Sequence, residues 1–530
     1  MHFMLHSFTL RTSFSVTFFP NRMMHCHRSP PIKGIVRHRR YLCLVLIVAA
    51  AISAAAWFTG SSGFDFIDGP EFVLCGTNLE LPHPPGYPLF IFMLRLFSVI
   101  IPCMNLDYAC LRIASAIFAG GGVIAACAAI RSFRCSRAGA LSGSILLFTL
   151  GPVLGQLNIV EVHGFAILLV LTALALRNSP AGPYFFSLSL FGGHPVSVLF
   201  FPSIVSRIFK RRWVLFGIIP LSLWLFIPIR STFQAVCHYS YPANVPLLWN
   251  YLTIYGSRLT VPALRGFEAL YRSTGVISLT VIGIFIFYSR RWSPGLFLTA
   301  AAGLIFLSSY SIPDTASILW ILLVPLTIWA SLGLGRMLSS GVYKRTAAWI
   351  LLLASILSGI SHASRRNDTA APLITRDFIR GTAPEAVFVS VGMTTYHTAY
   401  LLEVEDIRPD ILPMDAFKCF FRIPPPSELP DHISGRRVYA TRGWDQIELH
   451  LNGLLFTSEG DTVDWNIYDI FRYEGDVHDI FASDEIAELW ARRAIQSEDE
   501  NDRIICEEKA LNYVENRIAE ERIRTILDKY

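Results

Sequence analysis

Apolar residues in this chain recur in long runs instead of short alternating stretches. The runs lie between residues 41 and 361. Most approach the length that an α-helix needs to cross about 30 Å of hydrocarbon at about 1.5 Å per residue. Residues 362–530 mix charged and apolar positions, as water-soluble regions do. The pattern predicts an α-helical polytopic membrane protein that carries a soluble C-terminal part.

Basic clusters between the runs predict the direction of each span, because moving Arg and Lys across a bilayer is costly. The run at residues 89–101 contains Arg95 and is short, so we expect an interfacial or re-entrant helix there. With that assignment the basic clusters all fall on one side, and about eleven spans result. The predicted spans are residues 41–58, 109–130, 138–155, 160–176, 183–193, 196–207, 213–229, 273–289, 294–309, 315–335 and 346–361.

Four regions follow from this pattern. A basic cytoplasmic leader covers residues 1–40, and a transmembrane domain covers residues 41–361 with its first outer loop at residues 60–108. We expect a small extracytoplasmic α/β domain at residues 362–480 and a helical tail at residues 481–530. The predicted location is a bacterial cytoplasmic membrane, with the N-terminus inside and the C-terminal domain outside.

Short apolar runs in the outer domain predict strands that alternate with one helical segment. These strands are expected at Val387–Val391, near Ile411, at Val438–Thr441 and at Leu454–Thr457. In the tail, apolar residues at helical spacing are expected to pack on the domain itself. They are Ile504, Leu511, Val514 and Ile518.

Composition agrees with the membrane assignment. Apolar residues make up 53% of the 530 residues and charged residues 16%, with a mean hydropathy of +0.45. The net charge of +5 comes mainly from clusters between spans, so no nucleic-acid partner is expected. The ten cysteines form no CxxC pair and no metal-ligand spacing, and no glycine-rich nucleotide fingerprint follows a strand. Neither a metal nor a cofactor is predicted.

The most distinctive segment lies in the first outer loop. Asp68-Gly69-Pro70-Glu71 is followed by Leu81-Pro82-His83-Pro84-Pro85-Gly86-Tyr87-Pro88. Because prolines interrupt helices, we expect a rigid turn at the membrane surface instead of a continuous helix. Two carboxylates and a histidine on a stiff backbone suit preorganised catalysis. The alternative is a helix-breaking connection without chemical function.

The predicted topology gathers further polar residues on the outer face. Ionisable groups at membrane depth are costly and usually face a cavity, a partner or a substrate. For any one of them, a solvated loop position is the alternative. The set comprises Asp65, Asp68, Glu71, His83, Glu161, His163, His194, Arg230 and Asp314.

These residues resemble the protein O-mannosyltransferase-like membrane family, formerly a family of unknown function within the GT-C glycosyltransferase superfamily. Residues Asp68 to Pro88 resemble its D-x-G-E and H-P-P-G-Y-P block. Pro70 stands where the family usually has Gly, and His163 where Tyr is common. Further similarities are Gln156, Glu161-Val162, Gly193-His194, Pro228-Ile229-Arg230-Ser231, Tyr310-Ser311-Ile312-Pro313-Asp314 and Arg408-Pro409-Asp410.

The resemblance implies an enzyme that takes a hexose, mannose by analogy, from a polyprenyl phosphate and inverts its anomeric centre. The acceptor would be an extracytoplasmic hydroxyl of a protein Ser or Thr, a lipid or a glycan. Asp68 is then the candidate base and Glu71 the alternate or orienting partner, since carboxylates are ionised at neutral pH. Arg230 would stabilise the leaving phosphate without a metal. The remaining candidate substrate contacts are His83, Tyr87, Glu161, His163, His194 and Asp314.

Two other classes stay open at this stage: a transporter or flippase of lipid-linked sugar, and a catalytically inactive membrane scaffold. An odd number of spans, a soluble outer domain and the absence of an obvious inverted repeat in the sequence disfavour transport.

Overall fold

The computed structural model describes most of the chain, and every structural statement below concerns those residues. They are residues 32–61, 63–100, 108–205, 218–233, 246, 265–310, 315–416, 436–443, 449–458, 463–475, 477, 480–514 and 517–529. The chain forms two compact units, Met1–Leu44 and Val45–Tyr530. In the first unit the described residues are helical, and all contacts discussed below lie within the second.

Helices dominate the second unit as far as Ala363, because its runs are apolar and their prolines mostly stand where helices begin. Pro70, Pro152 and Pro294 each lie in a first turn, where a missing backbone N–H costs nothing. The α-helices are α1 (Ile32–Thr59), α2 (Gly69–Asn78), α3 (Pro88–Ile100), α4 (Tyr108–Ser132), α5 (Arg137–Phe148), α6 (Gly151–Gly155), α7 (Val162–Ala175), α8 (Ala181–Leu188), α9 (Phe201–Val205), α10 (Phe226–Phe233), α11 (Arg265–Thr274), α12 (Val276–Ser289), α13 (Pro294–Ser309), α14 (Trp320–Leu338) and α15 (Val342–Ala363).

Four stretches in the described residues are long and apolar enough to cross a membrane. They are His38–Thr59, Leu111–Ser132, Thr315–Leu338 and Val342–Ala363. Each coincides with a predicted span. Seven shorter apolar helices accompany them: Pro88–Ile100, Arg137–Phe148, Val162–Ala175, Pro195–Ile204, Ile219–Thr232, Val276–Ser289 and Pro294–Ser309. The chain is accordingly a multi-pass membrane protein.

One predicted span is interrupted. The expected helix at 138–155 is split, because Gly151-Pro152 starts the separate helix α6. The stretch around His194 is divided as expected: a π-helix over Ser189–Gly193 stops at His194, and a 3-10 helix, Pro195–Phe200, begins after it.

Beyond Ala363 the chain forms a mixed five-stranded sheet. Its strands are β1 (Val387–Ser390), β2 (Leu412–Asp415), β3 (Val438–Ala440), β4 (His450–Asn452) and β5 (Leu455–Thr457), in the order β2-β1-β3-β5-β4. β1 pairs in parallel with β2 and β3, and β5 pairs antiparallel with β3 and β4. β1, β2, β3 and β5 lie where the sequence predicts strands. β4 was missed because three residues with a single apolar side chain, Leu451, are too short a pattern to predict a strand.

Helices flank this sheet: α16 (Ala370–Arg380), α17 (Met393–Glu403), α18 (Ile480–Ala494), α19 (Glu500–Tyr513) and α20 (Arg517–Lys529). The expected apolar face of the tail is wrong for Ile504 and Leu511, which are 51% and 38% exposed, whereas Val514 packs against the core. The side chain of Ile518 lies outside the described residues. Small residues of α19 face the core instead, with Cys506 and Ala510 fully buried.

Helix α17 contacts both the five-stranded sheet and the loop that precedes α2. The His397 ring lies 5.1 Å from that of Phe64 and 4.8 Å from that of Phe66, centroid to centroid. The Tyr108 backbone N–H donates to the Tyr400 hydroxyl at 2.8 Å. The loop that carries Asp68 is therefore packed against the C-terminal α/β domain.

Candidate functional site

The segment Asp68-Gly69-Pro70-Glu71 begins helix α2, so the expectation of a turn at these residues is wrong. Asp68 is the N-cap residue, and Pro70 lies in the first turn, which accepts proline. The Asp68 side chain makes no capping hydrogen bond to the helix. Asp68 and Glu71 thus place two carboxylates at the positive end of the helix dipole.

A second carboxylate, Asp65, anchors the approach to this helix. Its two oxygens accept hydrogen bonds from the Ile67 backbone N–H, at 2.9 Å, and from the Tyr108 hydroxyl. Gly69 is required beside them, since an added Cβ would lie 2.8 Å from Asp65 Oδ2. Burial raises the pKa of Asp65, and the hydrogen bond from Tyr108 partly offsets that effect. The start of α2 is thus held by contacts separate from Asp68.

The imidazole of His83 lies between the two carboxylates of α2. Its Nδ1 is 2.7 Å from Glu71 Oε2, and its backbone N–H donates to Glu71 Oε1 at 2.6 Å. Its Nε2 is 3.5 Å from Asp68 Oδ2. Glu71 is almost fully buried, whereas the Asp68 side chain is 24% exposed. Glu71 is therefore committed to His83, and Asp68 is the more accessible carboxylate.

The proline-rich turn predicted from the sequence occupies residues 80–87 and presents His83 to α2. Gly86 has φ of +89°, a conformation that favours glycine, and its N–H donates to the His83 carbonyl at 3.0 Å. The Tyr87 hydroxyl lies 3.2 Å from His83 Nε2. The turn therefore fixes both aromatic side chains beside Asp68.

Two further histidines extend this cluster toward α14. The His194 ring stacks on Tyr87 at 5.7 Å and lies 5.0 Å from the ring of His163. His163 Nδ1 accepts from the Trp320 indole at 3.2 Å, and His194 Nδ1 accepts from the Val196 backbone N–H at 3.1 Å. A neutral histidine that accepts at Nδ1 carries its proton on Nε2, so both rings keep an Nε2–H donor.

Glu161 completes the cluster. It is buried, its Oε1 accepts the Val162 N–H at 3.1 Å, and the same oxygen lies 3.8 Å from His163 Nε2. The structure thus brings seven predicted site residues into one continuous group that spans α2, the turn, α7 and the divided helix. They are Asp68, Glu71, His83, Tyr87, Glu161, His163 and His194.

Arg230 lies apart from this group. Its Nε and one terminal nitrogen donate to the carbonyls of Leu79 and Asn78, at 2.6 and 3.1 Å. These carbonyls end the ten-residue helix α2, so Arg230 and Asp68 are at opposite ends of a rod about 15 Å long. The expectation that Arg230 faces Asp68 across a shared pocket is wrong, since the guanidinium stabilises the negative end of the helix. Asp314 lies outside the described residues.

Sequence reasoning missed Tyr108 and Trp320. Tyr108 bridges Asp65 and the Val160 N–H, the latter at 3.1 Å, and Trp320 orients His163. Both residues begin apolar helices, where an aromatic side chain is ordinary, so no local pattern marked them. The sequence analysis predicted that Asp65 lies on the outer face. It did not predict the anchoring role of Asp65, because that role depends on the hydrogen bond from Tyr108.

The group Asp68, Glu71 and His83 also has the donor atoms of a metal site. One ligand atom from each lies within 4.8 Å of the others. However, the carboxylates approach opposite nitrogens of the imidazole ring, Glu71 at Nδ1 and Asp68 at Nε2. That arrangement matches an imidazole placed between two carboxylates and hydrogen-bonded to Glu71 more closely than three donors converging on one ion.

The segment that carries this site matches a known protein family. Residues 68–140 match the family described as the protein O-mannosyl-transferase TMEM260 N-terminal domain. The predicted family resemblance is confirmed. The matched segment contains Asp68, Glu71, His83 and Tyr87, but not His163, His194 or Arg230. No curated protein matches the sequence significantly.

Solved structures extend the similarity across the fold. ArnT from Cupriavidus metallidurans, bound to undecaprenyl phosphate, superposes with a TM-score of 0.51 at 12% identity, covering 74% of this chain and 92% of that one. Its apo state gives the same values. The match to the apo oligosaccharyltransferase of Archaeoglobus fulgidus covers 68% of this chain and 63% of that one, with a TM-score of 0.42 and 12% identity. The likeness to ArnT shows that the two chains share a fold.

Proposed function

We propose that the protein is an integral membrane glycosyltransferase of the GT-C class that acts on the extracytoplasmic side of the bilayer. It transfers a hexose, mannose by analogy with the matching family, from a polyprenyl-phosphate donor to a hydroxyl acceptor. The observation that carries the proposal is the Asp68–His83–Glu71 arrangement at the start of α2, inside the segment that matches an O-mannosyl-transferase family. The undecaprenyl phosphate in the ArnT structure supports a lipid-linked donor.

Asp68 acts as the general base in this proposal. An inverting transfer needs one group to take the acceptor proton while the hydroxyl attacks C1 from the face opposite the phosphate. Asp68 is the more accessible carboxylate and stands at the positive end of α2, which favours its ionised form. Glu71 and His83 act as positioning residues, because the buried Glu71 fixes the ring whose Nε2 approaches Asp68.

The donor occupies the space beside Tyr87, His194 and His163. The two imidazoles offer Nε2–H groups to the sugar and its phosphate, and Tyr87 offers an aromatic face and a hydroxyl. Glu161 accepts from a sugar hydroxyl. In an inverting transfer the base and the leaving phosphate lie on opposite faces of the sugar C1, within a few ångströms of it. The Arg230 guanidinium is about 15 Å from Asp68 and is therefore too distant to bind this phosphate. Asp314 remains a proposed acceptor or sugar contact.

Transfer of radiolabelled mannose from a synthetic polyprenyl-phosphate mannose by the purified full chain in lipid nanodiscs tests this function. The expected product is a mannosylated hydroxyl whose anomeric configuration is opposite to that of the donor. Retention of configuration would contradict direct attack by the acceptor. Movement of the lipid-linked sugar across a vesicle bilayer without any transfer would indicate a flippase instead.

A further inference from the structure

A cavity in the outer domain has no role in the chemistry described above. Its volume is about 350 Å³, within the range of ligand pockets, and it lies at the carboxyl end of β1 beside Val391 and Met393. From β1 the chain crosses through α17 to β2 on one side, and β3 then pairs on the other. Ligands of open α/β sheets bind at such a switch point, outside the carboxyl ends of the strands.

A residue of the first outer loop lines one side of the cavity. Phe66 forms one wall, Arg442, just after β3, forms another, and Phe481 of α18 forms a third. Phe66 and Asp68 are two residues apart, so their Cα atoms are separated by at most about 7 Å. A polypeptide ligand held in this cavity could therefore reach Asp68, the proposed base, with only a few residues of extended chain.

The walls are mostly apolar, and the charges around them are of both signs. Phe66, Met393 and Phe481 supply apolar surface, whereas Asp484 and Glu485 line the same cavity as Arg442 and Arg522. Two of these charges are paired, since Arg442 lies 3.4 Å from Glu485. An anionic phosphate would meet two carboxylates here, so the cavity does not suit the lipid-phosphate donor.

The arginines are also neutralised from beneath. Glu488 is buried, and its Oε2 lies 2.9 Å from Arg522 and 3.7 Å from Arg442. Its other oxygen lies 2.6 Å from Arg492, which is outside the cavity. Burial alone would raise the pKa of Glu488, but the surrounding guanidiniums hold it at about 2. Balanced charge around an apolar wall favours a neutral ligand with an apolar group and amide hydrogen-bonding partners.

We propose that this cavity binds an apolar side chain of the acceptor polypeptide, next to the serine or threonine that receives the sugar. This inference rests on the proposed function and names the acceptor as a protein. Gly392, with φ of +61° and open space where a Cβ would stand, keeps the entrance beside β1 clear. The acceptor chain then runs from the cavity past Phe66 toward Asp68.

Binding of two matched peptides to the full chain in nanodiscs tests the inference. Both are dye-labelled and contain one threonine, which is flanked by phenylalanine in one peptide and by alanine in the other. We expect the phenylalanine peptide to bind at least about tenfold more tightly, the scale on which apolar pockets discriminate by size. Equal binding of the two peptides would overturn the inference, as would displacement of the phenylalanine peptide by a free oligosaccharide.

Two variants locate the site. Met393→Trp fills the cavity and Phe481→Ala removes a wall, and each should abolish the preference. Ile505→Trp, on the exposed face of α19, is the matched control and should retain it. Preference retained in both cavity variants would overturn the location. Unequal peptide binding without sugar transfer would defeat the proposed function and the acceptor role, whereas transfer with equal binding would defeat the cavity assignment alone.

Discussion

The two ends of helix α2 carry opposite charges and serve different purposes. At its start, Asp68 and Glu71 meet the imidazole of His83, and one carboxylate stays accessible. At its end, Arg230 donates to two backbone carbonyls that would otherwise lack helical partners. The sequence suggested one site with a base and a phosphate clamp. The structure shows two separate ends of one helix: a carboxylate–imidazole cluster, where we propose the chemistry, and an end capped by Arg230.

The largest expected effect belongs to Asp68. Asp68→Asn removes the proposed base without changing side-chain size, so we expect kcat to fall about 10²- to 10⁴-fold. Asp65→Asn, three residues earlier, is the matched control, because its amide keeps a partner for Tyr108. Steady-state transfer of labelled sugar distinguishes them. Comparable losses in the two variants would mean that the loop, and not one carboxylate, matters.

A smaller effect is expected for Glu71. Glu71→Gln replaces a charge-assisted contact to His83 by a neutral one, worth about 1.5–3 kcal/mol, and thus about 10- to 100-fold in rate. A positioning residue should lower kcat while KM for the donor stays constant. A 10²- to 10⁴-fold loss in Glu71→Gln, with Asp68→Asn fully active, would reverse the two assignments.

The pH dependence of stability distinguishes the anchoring role of Asp65 from the proposed catalytic role of Asp68. Because burial raises the pKa of Asp65 in the folded state, that state binds its proton more tightly than the unfolded chain does. The contribution of Asp65 to the free energy of unfolding is therefore greatest at low pH and decreases as the pH rises through its folded pKa. Asp65→Asn should flatten this part of the thermal stability profile in detergent. An unchanged profile would contradict the buried, anchoring role.

The smallest expected effect concerns metal removal. Since Asp68 and Glu71 approach opposite nitrogens of His83, we expect EDTA to leave the rate of transfer unchanged. Dialysis against the chelator, followed by assay with and without added Mn²⁺ or Mg²⁺, measures this. Loss of activity that is restored by the cation would instead show that Asp68, Glu71 and His83 hold a catalytic metal.

Local sequence predicted the composition of this site better than its geometry. Asp68, Glu71, His83 and Tyr87 lie within twenty residues, and the proline-rich motif marked their neighbourhood. Tyr87 contacts His194, and His194 contacts His163, although these histidines lie more than seventy residues further along the chain. The predicted order of the spans placed all three residues on the same face of the membrane, but it did not predict these contacts.

Three features could not be inferred from pattern. Pro70 suggested a turn, yet proline is equally at home in the first turn of a helix, and only the contacts of α2 distinguish these cases. Arg230 at a span end resembled a phosphate ligand, but its nearest acceptors were carbonyls far along the chain. The exposed Ile504 and Leu511 show that helical spacing does not tell which face of a helix is buried.

The central claim is that chemistry occurs at the start of α2 and not at its end. Single-turnover transfer by Asp68→Asn and by Arg230→Gln, in identical nanodiscs with saturating labelled donor, compares the two ends directly. We predict at least a hundredfold slower transfer for Asp68→Asn, and a rate near that of the unmodified protein for Arg230→Gln. A fast Asp68→Asn enzyme beside an inactive Arg230→Gln enzyme would contradict the account.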